Sequence, residues 1–412
     1  MEKKHIDATL VFLILALVIF WLIMMSSVSV YSSNTVTERM VALGKLTESN
    51  NYFYLQRHLM YVLIGVFALA LTSKIPYTFL ERHAKHIFGG TLVLLTAVLF
   101  VWEEYNGARG WLNIPGIPSI QPVEFMKIGL ILMLAYFIKK KRNVLHDLAD
   151  GFLPYFVMVG AVFFLLILQP DFGSILILAP VVIALYFVGW GNSKYIGISI
   201  LVSLIGAWSV YGIGKVDIKN SEWRNSNPLN YISLRIDNFI RDSKELIEKP
   251  NPDGKDYQTK QWLIAIGSGG FFGLGFGKSI QKFGYLPEVQ WDFIFSVIVE
   301  ELGFIGACVV IGIYFMIAYR GYLIARSVKD PFAQYVAFGI TTLIFVQAGI
   351  NIWVNLNIVP LTGVTLPFVS YGGSSLLSML VCVGILLSIS RHREYRPQKI
   401  TDIFSAERRI VI

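Results

Sequence analysis

The chain of 412 residues is 55% hydrophobic and only 15% charged, and its formal net charge is +8. A soluble protein is typically about 45–50% apolar and about 25% charged, so this composition indicates a membrane protein. In a membrane protein, a positive excess usually reflects cytoplasmic loops that face anionic lipid. No array of Lys and Arg alternates with aromatic residues, which argues against a nucleic-acid-binding groove.

Ten stretches of the chain are apolar enough for membrane spans, each of which needs about 20 residues. They lie near 8–27, 58–73, 86–102, 122–138, 152–169, 173–190, 195–213, 293–319, 333–355 and 373–390. We therefore predict an all-α polytopic membrane protein with about ten transmembrane helices, built as a single membrane domain over residues 1–412. The first apolar run is too long for the core of a signal peptide, so we expect it to be retained.

Basic residues concentrate in alternate connections between the predicted spans. They are Lys3, Lys4, Lys74, Arg82, Lys85, Lys139, Lys140, Lys141, Arg142, Lys194, Arg320, Arg326, Lys329, Arg391, Arg393, Arg396 and Lys399. The positive-inside rule places these connections in the cytoplasm. Both termini are then cytoplasmic, including a tail near 391–412. The long loop near 214–292, between spans seven and eight, is extracytoplasmic.

The second half of this long loop is apolar and rich in glycine, which predicts a re-entrant or interfacial element partly buried in protein. It contains GSGGFFGLGFGKS, which lacks the GxxxxGK[ST] pattern of a nucleotide-binding P-loop. Its glycines, together with Lys278, could still let backbone N–H groups approach a phosphate. The same holds for SYGGSS at residues 370–375, at the mouth of the last predicted span.

Charged residues inside or beside the predicted spans are few, and each is a candidate for function. Glu124 and Lys127 follow Pro122 and share one face of a helix. They form either a first-turn ion pair near the surface or a polar patch that faces an outer cavity. Asp171 is expected to cap a helix. For Glu300 and Glu301 we favour pairing with Lys or Arg of a neighbouring helix.

The stretch YLPEVQWDFIF places two carboxylates, Glu288 and Asp292, at the start of span eight. If a helix begins near Pro287, both lie on one face. If Asp292 is instead the N-cap, Glu288 lies in the loop. Spacing alone favours a cap, but an acid at this boundary could also act as a general base or bind a divalent cation.

Several segments together resemble the shape, elongation, division and sporulation (SEDS) family. They follow the family's order from about residue 107 to 378 and read GARGWLNIPGIPSIQPVEFMK, LQPDFGSIL, YQTKQWLIAIGSGG, QKFGYLPE, DFIFSVIVEELGFIGA and PLTGVTLPFVSYGGSSLL. The wording of the long loop is more similar to the division branch (FtsW) than to the elongation branch (RodA).

This resemblance implies a peptidoglycan glycosyltransferase in the bacterial cytoplasmic membrane with its active site facing outside. Such an enzyme polymerises lipid II into β-1,4 glycan with inversion and releases undecaprenyl pyrophosphate, here in septal synthesis. The implied partners are lipid II, the lipid-linked glycan, a class B penicillin-binding protein and other division proteins. The alternatives are a lipid II flippase, a RodA-type elongation polymerase and an inactive scaffold that recruits a partner synthase.

The resemblance also assigns roles to residues. Asp292 falls on the family's essential aspartate and is expected to be the general base. The expected substrate-binding residues are Arg109, Glu124, Lys127, Lys278, Glu288, Ser370, Gly372 and Ser374. No metal site is assigned, although a divalent cation, Mg²⁺ or Mn²⁺, that bridges pyrophosphate to a carboxylate stays open. The chain departs from the family pattern at Gly110, at Val123 and at Gln290-Trp291, which stands where the family often has His-Thr.

Overall fold

The computed structural model describes residues 6–100, 110–112, 119–214, 237, 239, 255–287 and 289–392. These residues are almost entirely helical, and the β-pairing among them is a single bridge between Leu112 and Ile120. The α-helices in these ranges are α1 (Ala8–Val28), α2 (Val30–Ala42), α3 (Phe53–Thr72), α4 (Tyr77–Ala97), α5 (Pro122–Lys141), α6 (Leu153–Leu168), α7 (Phe172–Val188), α8 (Ser193–Gly214), α9 (Lys255–Gly269), α10 (Ile294–Ser327), α11 (Pro331–Asn355) and α12 (Gly373–Ser390).

The described part of each predicted span coincides largely with one of these helices, and residues 101–102 of the third span lie outside the described residues. The prediction of a helical membrane protein is therefore confirmed. Within the described residues, seven helical segments are long and apolar enough to cross a membrane. They are Ala8–Val28, Phe53–Thr72, Tyr77–Phe100, Leu148–Leu168, Ile294–Ser327, Pro331–Asn355 and Gly373–Ser390. The third span begins earlier than predicted, because α4 starts directly after Pro76 and carries its polar residues within the helix.

Two helices form the centre of the bundle. In α11 and α12 the most apolar windows are 67% and 78% buried, against 17% in α3. Helix α11 packs against α5, α7 and α10, while α12 packs mainly against α3. Polar side chains that are buried on α5, α11 and α12 therefore face protein, where they need hydrogen-bonding partners.

Helix α10 is broken at Gly303, whose φ of 68° and ψ of −166° are not helical. The glycine-rich segment after α9 packs against this break through its backbone. Leu274 N donates to the carbonyl of Glu300 at 2.9 Å, and Phe304 N donates to the carbonyl of Gly270 at 3.0 Å. Backbone groups that the break would otherwise leave unpaired are thus satisfied. The apolar half of the long loop is packed on protein here, as predicted.

Gly303→Ala is expected to destabilise the protein by roughly 2–3 kcal/mol, because its backbone region is almost exclusive to glycine. An added Cβ would also lie 2.3 Å from the backbone nitrogen of Gly273. The matched control is Gly312→Ala on the same helix, where a Cβ meets no atom within 4 Å. Thermal unfolding in detergent measures both. An equal Tm for the two variants would contradict the argument.

Candidate active site

Polar side chains gather at the end of the bundle where α5, α10 and α12 begin and α11 ends. Hydrogen bonds join these segments directly. Ser374 Oγ on α12 accepts from Gln121 N before α5 at 3.1 Å. The Tyr371 N–H donates to the carbonyl of Gln290 at 2.8 Å. The start of α5, the approach to α10 and the SYGGSS segment therefore meet at one place.

Asp292 lies in this group, directly before α10. The N-cap residue of α10 is Phe293, whose side chain makes no capping hydrogen bond, and Asn355 Oδ1 on α11 instead accepts from the Ser296 N–H of the first turn at 3.2 Å. The interpretation of Asp292 as a helix cap is therefore wrong. The helix begins at Ile294 and not near Pro287, so the condition for a helix face shared by Glu288 and Asp292 is not met, and Glu288 itself lies outside the described residues. The Asp292 side chain is half-buried, which leaves part of it accessible from outside the protein.

Two buried asparagines hold the backbone of Asp292. The side-chain amides of Asn351 and Asn355 each donate to the Asp292 carbonyl at 3.0 Å. Asn355 Oδ1 also accepts from the hydroxyl of Ser296 at 2.6 Å, which ties α11 to the first turn of α10. The sequence interpretation missed both asparagines. The spacing of these asparagines in the sequence already indicated a polar contact, since two Asn four residues apart in an apolar helix lie on one face and need polar partners.

The loop between α11 and α12 passes beside the Asp292 carboxylate. A Cβ added to Gly363, whose φ is +70°, would lie 3.4 Å from Asp292 Oδ2. The same loop touches the first turn of α7, where a Cβ on Gly173 would lie 2.8 Å from the carbonyl of Thr362. In that turn Asp171 accepts from the Ser174 N–H at 3.0 Å, so its predicted role as an N-cap is confirmed.

Glu124 and Lys127 form an ion pair with a distance of 2.8 Å between Lys127 Nζ and Glu124 Oε1. Of the two alternatives, an ion pair near the surface or a polar patch, the ion pair is present, but its place near the surface is wrong, because both side chains are buried. Lys127 Nζ also donates to Gln347 Oε1 on α11 at 3.1 Å. The hydroxyl of Ser378 on α12 donates to Glu124 Oε2 at 2.9 Å. Three helices therefore share one buried polar network.

The loop beside Asp292 links this network to the asparagines. Gln347 Nε2 donates to the carbonyl of Thr365 at 3.2 Å, and Asn351 Nδ2 donates to the carbonyl of Val364 at 2.7 Å. Two adjacent residues of the loop, Val364 and Thr365, are thus held by the side-chain amides of Asn351 and Gln347. A change at Lys127 can reach the surroundings of Asp292 through Gln347 and the loop.

The serines of SYGGSS mainly hold the loop together. Ser370 Oγ accepts from the Leu366 N–H at 2.7 Å, and Ser374 Oγ donates to the carbonyl of Ser119 at 3.3 Å. Gly372 occupies the N-cap position of α12 in an extended conformation. The predicted contacts of Ser370, Gly372 and Ser374 with substrate stay predictions.

The remaining candidates are spread along the long loop and the loop before α5. Arg109 and Glu288 lie outside the described residues, and Lys278 is exposed on the glycine-rich segment. The described part of the chain contains no group of three or more His, Cys, Asp or Glu side chains that could hold a metal ion. A magnesium ion often binds through one or two carboxylates together with substrate phosphates, so Asp292 is the residue that would fit such an ion.

The match to a family model decides the family. The model for the cell cycle proteins FtsW, RodA and SpoVE matches residues 8–395. The chain belongs to this family. One similar relative is a probable peptidoglycan glycosyltransferase FtsW of Trichlorobacter lovleyi, 36% identical over 95% of this chain and 94% of the relative. Another is the stage V sporulation protein E of Bacillus subtilis, 35% identical over 96% of this chain and 99% of the relative.

Solved structures that resemble this chain support the family assignment. A chain of a peptidoglycan synthase complex that coordinates polymerisation and crosslinking superposes with a TM-score of 0.66 at 26% identity, over 95% of this chain and 99% of that chain. The rod shape determining protein RodA of Thermus thermophilus superposes with a TM-score of 0.61 at 26% identity, over the same shares. The helical architecture is therefore that of the family over nearly its whole length.

In this member of the family, Gln290 and Trp291 stand directly before Asp292. The Trp291 ring lies edge-on to Tyr54 of α3, with centroids 5.7 Å apart, and to Tyr371, at 5.9 Å. Burial raises the pKa of the Tyr371 phenol well above its ordinary value, so this ring stays neutral. These two residues, whose role the sequence left unexplained, dock the approach to Asp292 onto α3 and the SYGGSS segment.

Proposed function

We propose that the chain is a peptidoglycan glycosyltransferase that polymerises lipid II into β-1,4 glycan strands and releases undecaprenyl pyrophosphate. Similarity to the FtsW relative supports the activity. The observation that carries the proposal is the placement of Asp292. Asp292 is not the N-cap of α10, and its carboxylate is half-buried beside Gly363 of the loop between α11 and α12, while its backbone is held by Asn351 and Asn355.

In this reaction the 4-hydroxyl of the acceptor sugar attacks the anomeric carbon of the donor. We assign Asp292 as the general base that takes the hydroxyl proton, which is a task suited to a carboxylate within reach of the reacting oxygen. The bond from the anomeric carbon to the pyrophosphate breaks, and negative charge develops on the leaving group. Arg109 and Lys278 are the cations proposed to stabilise that charge, since guanidinium and ammonium groups suit phosphate.

Lys127 contributes differently, because it is buried and already paired. Its ammonium donates to Glu124 and Gln347, and Gln347 holds the loop beside Asp292. We propose that the Glu124–Lys127 pair shapes the site through this loop, in addition to the substrate contact that the family resemblance implies. A divalent cation shared by Asp292 and the donor phosphates stays a prediction from the sequence.

The proposed orientation places the candidate site at the outer face of the bacterial cytoplasmic membrane. Ten helices would cross the membrane, with both termini in the cytoplasm. The cluster Lys139, Lys140 and Lys141 ends α5, whereas Glu124 lies at its start. A helix of 20 residues is about 30 Å long, so the basic end and the candidate site are separated by the thickness of the hydrocarbon core.

The proposed partner is a class B penicillin-binding protein, which would supply crosslinking, and the proposed setting is septal synthesis with other division proteins. The similarity to a chain of a complex that coordinates polymerisation and crosslinking supports the partner. Similarity to an FtsW relative supports the septal role. A RodA-type role in elongation is the alternative.

The direct test is polymerisation of lipid II by the purified full-length chain in detergent. We expect glycan strands, resolved by gel electrophoresis, and none from the Asp292→Ala protein purified in parallel, which reports contaminating synthases. Transfer of labelled lipid II across vesicle membranes without any polymer would instead indicate a transporter. That result would overturn the proposal.

A further inference from the structure

Two adjacent buried carboxylates, Glu300 and Glu301, hold the glycine-rich segment. The expected pairing with a basic residue is confirmed for Glu301, which pairs with Lys282, but the expected neighbouring helix is wrong, since this lysine belongs to the loop. Glu300 accepts from the Ser279 hydroxyl and from Ile280 N at 2.9 Å. Glu301 accepts from Gly277 N at 3.0 Å and from Ser279 N at 3.4 Å. Backbone N–H groups thus carry much of the stabilisation of both carboxylates.

Lys282 completes this arrangement. Its Nζ donates to Glu301 Oε1 at 3.0 Å, to Ser27 Oγ at 2.7 Å and to the carbonyl of Gly277 at 2.6 Å. All three ammonium hydrogens can therefore be satisfied within the protein. Because Ser27 lies in the last turn of α1, the loop is tied to α1 as well as to α10. We call Glu300, Glu301 and Lys282 the loop clamp.

Lys278 stands in the middle of the clamped turn. The N–H groups of its two neighbours, Gly277 and Ser279, both donate to the Glu301 carboxylate. Its own N–H donates to the carbonyl of Gly275 at 3.1 Å. Its side chain is exposed, and it forms none of the salt bridges among the described residues. The backbone of Lys278 is thus fixed while its ammonium faces outward.

We propose that Glu301, supported by Glu300 and Lys282, is a positioning residue that presents the Lys278 ammonium to the pyrophosphate of the lipid-linked donor. A flexible lysine loses side-chain entropy when it binds, and a fixed backbone reduces the part of the chain that must still be ordered. The two carboxylates of the loop clamp, Glu300 and Glu301, lie on α10 about two turns beyond Asp292, at the same end of the bundle. The inference rests on the proposed function, because it assigns the donor of that reaction as the ligand.

The proposed ligand group is a phosphate on a lipid, which a phospholipid headgroup also offers. The experiment therefore uses neutral detergent without phospholipid, so that the donor is the source of phosphate. Four proteins are compared: wild type, Lys278→Ala, Glu301→Gln and the double variant. Lys141→Ala is the control, since it removes an exposed lysine from the opposite end of α5.

We expect Lys278→Ala to raise KM for lipid II about tenfold, the effect of one charge-assisted hydrogen bond, and to lower kcat as well, because this ammonium also stabilises the charge that develops on the leaving pyrophosphate. Glu301→Gln is expected to raise KM at least about threefold in the wild-type background but less than about 1.5-fold in the Lys278→Ala background. The control is expected to match wild type. This non-additivity is the signature of a residue that acts through Lys278.

Equal effects of Glu301→Gln in both backgrounds would overturn the inference and assign the clamp a purely structural role. A KM effect of Lys278→Ala that is seen only after anionic phospholipid is added would assign the headgroup instead. If Glu301→Gln does not fold, Glu300→Gln completes the same cycle. Binding of undecaprenyl pyrophosphate to the four proteins tests the inference without turnover, so a wild type that binds but does not polymerise refutes only the proposed function.

Discussion

Asp292→Ala is expected to lower the rate of lipid II polymerisation about 10²–10⁴-fold, which is the usual contribution of a general base, while the protein still folds. Folding should survive because the bonds from Asn351 and Asn355 reach the main-chain carbonyl of Asp292, which alanine retains. Polymer formed per minute at saturating lipid II measures the first effect. Circular dichroism and Tm in detergent measure the second.

Two further variants test whether the loss of activity is due to the Asp292 carboxylate. Asp292→Asn keeps the size of the side chain but removes the base, and we expect it to be nearly as inactive as Asp292→Ala. Asp150→Ala removes an exposed carboxylate beyond the opposite end of α5 and should polymerise like wild type. Full activity of Asp292→Ala would refute the assignment of Asp292 as general base.

Lys127→Met is expected to abolish activity and to destabilise the protein by roughly 3–5 kcal/mol, since breaking a buried ion pair leaves one charge uncompensated. The uncompensated charge is Glu124, which keeps a hydrogen bond from Ser378 but loses its partner at 2.8 Å. Thermal unfolding and the polymerisation assay on the same preparation measure the two effects. Lys141→Ala, in the last turn of the same helix, is the control.

The double variant Glu124→Gln, Lys127→Met separates stability from function. Removing both charges can restore most of the stability, because no unpaired charge is then buried. We expect the double variant to fold and to stay inactive, since the charge near the loop beside Asp292 is gone. A double variant that regains activity would show that this ion pair only stabilises the fold.

Much of the fold was predictable because membrane spans are a local property of the sequence. An apolar run of the required length needs no knowledge of its neighbours, so each span was placed on a helix that exists. Local spacing also predicted the Asp171 cap, and it offered the ion pair of Glu124 with Lys127 as one of two alternatives; in both cases the partner is three residues away. The position of Asp292 in the site came from the family resemblance, because its spacing favoured a cap.

Long-range contacts were not predictable from spacing. Gln347 is 220 residues from Lys127, and Asn355 is 63 residues from Asp292, so no helical period connects them. The partner of Glu301 was predicted on a neighbouring helix, yet Lys282 supplies the charge from a loop. That loop can reach α10 because Gly303 breaks the helix and lets backbone of another segment pair there.

The sequence by itself determined that this chain is a helical membrane protein, and its motifs pointed to the family and to the acids and lysines of the candidate site. Only the tertiary structure decided that Asp292 is not the N-cap of α10, that the Glu124–Lys127 pair is buried, and that Glu301 holds the turn bearing Lys278. The physical reason is that hydropathy and helical period act over a few turns, whereas burial and hydrogen-bonding partners depend on segments far apart in the chain.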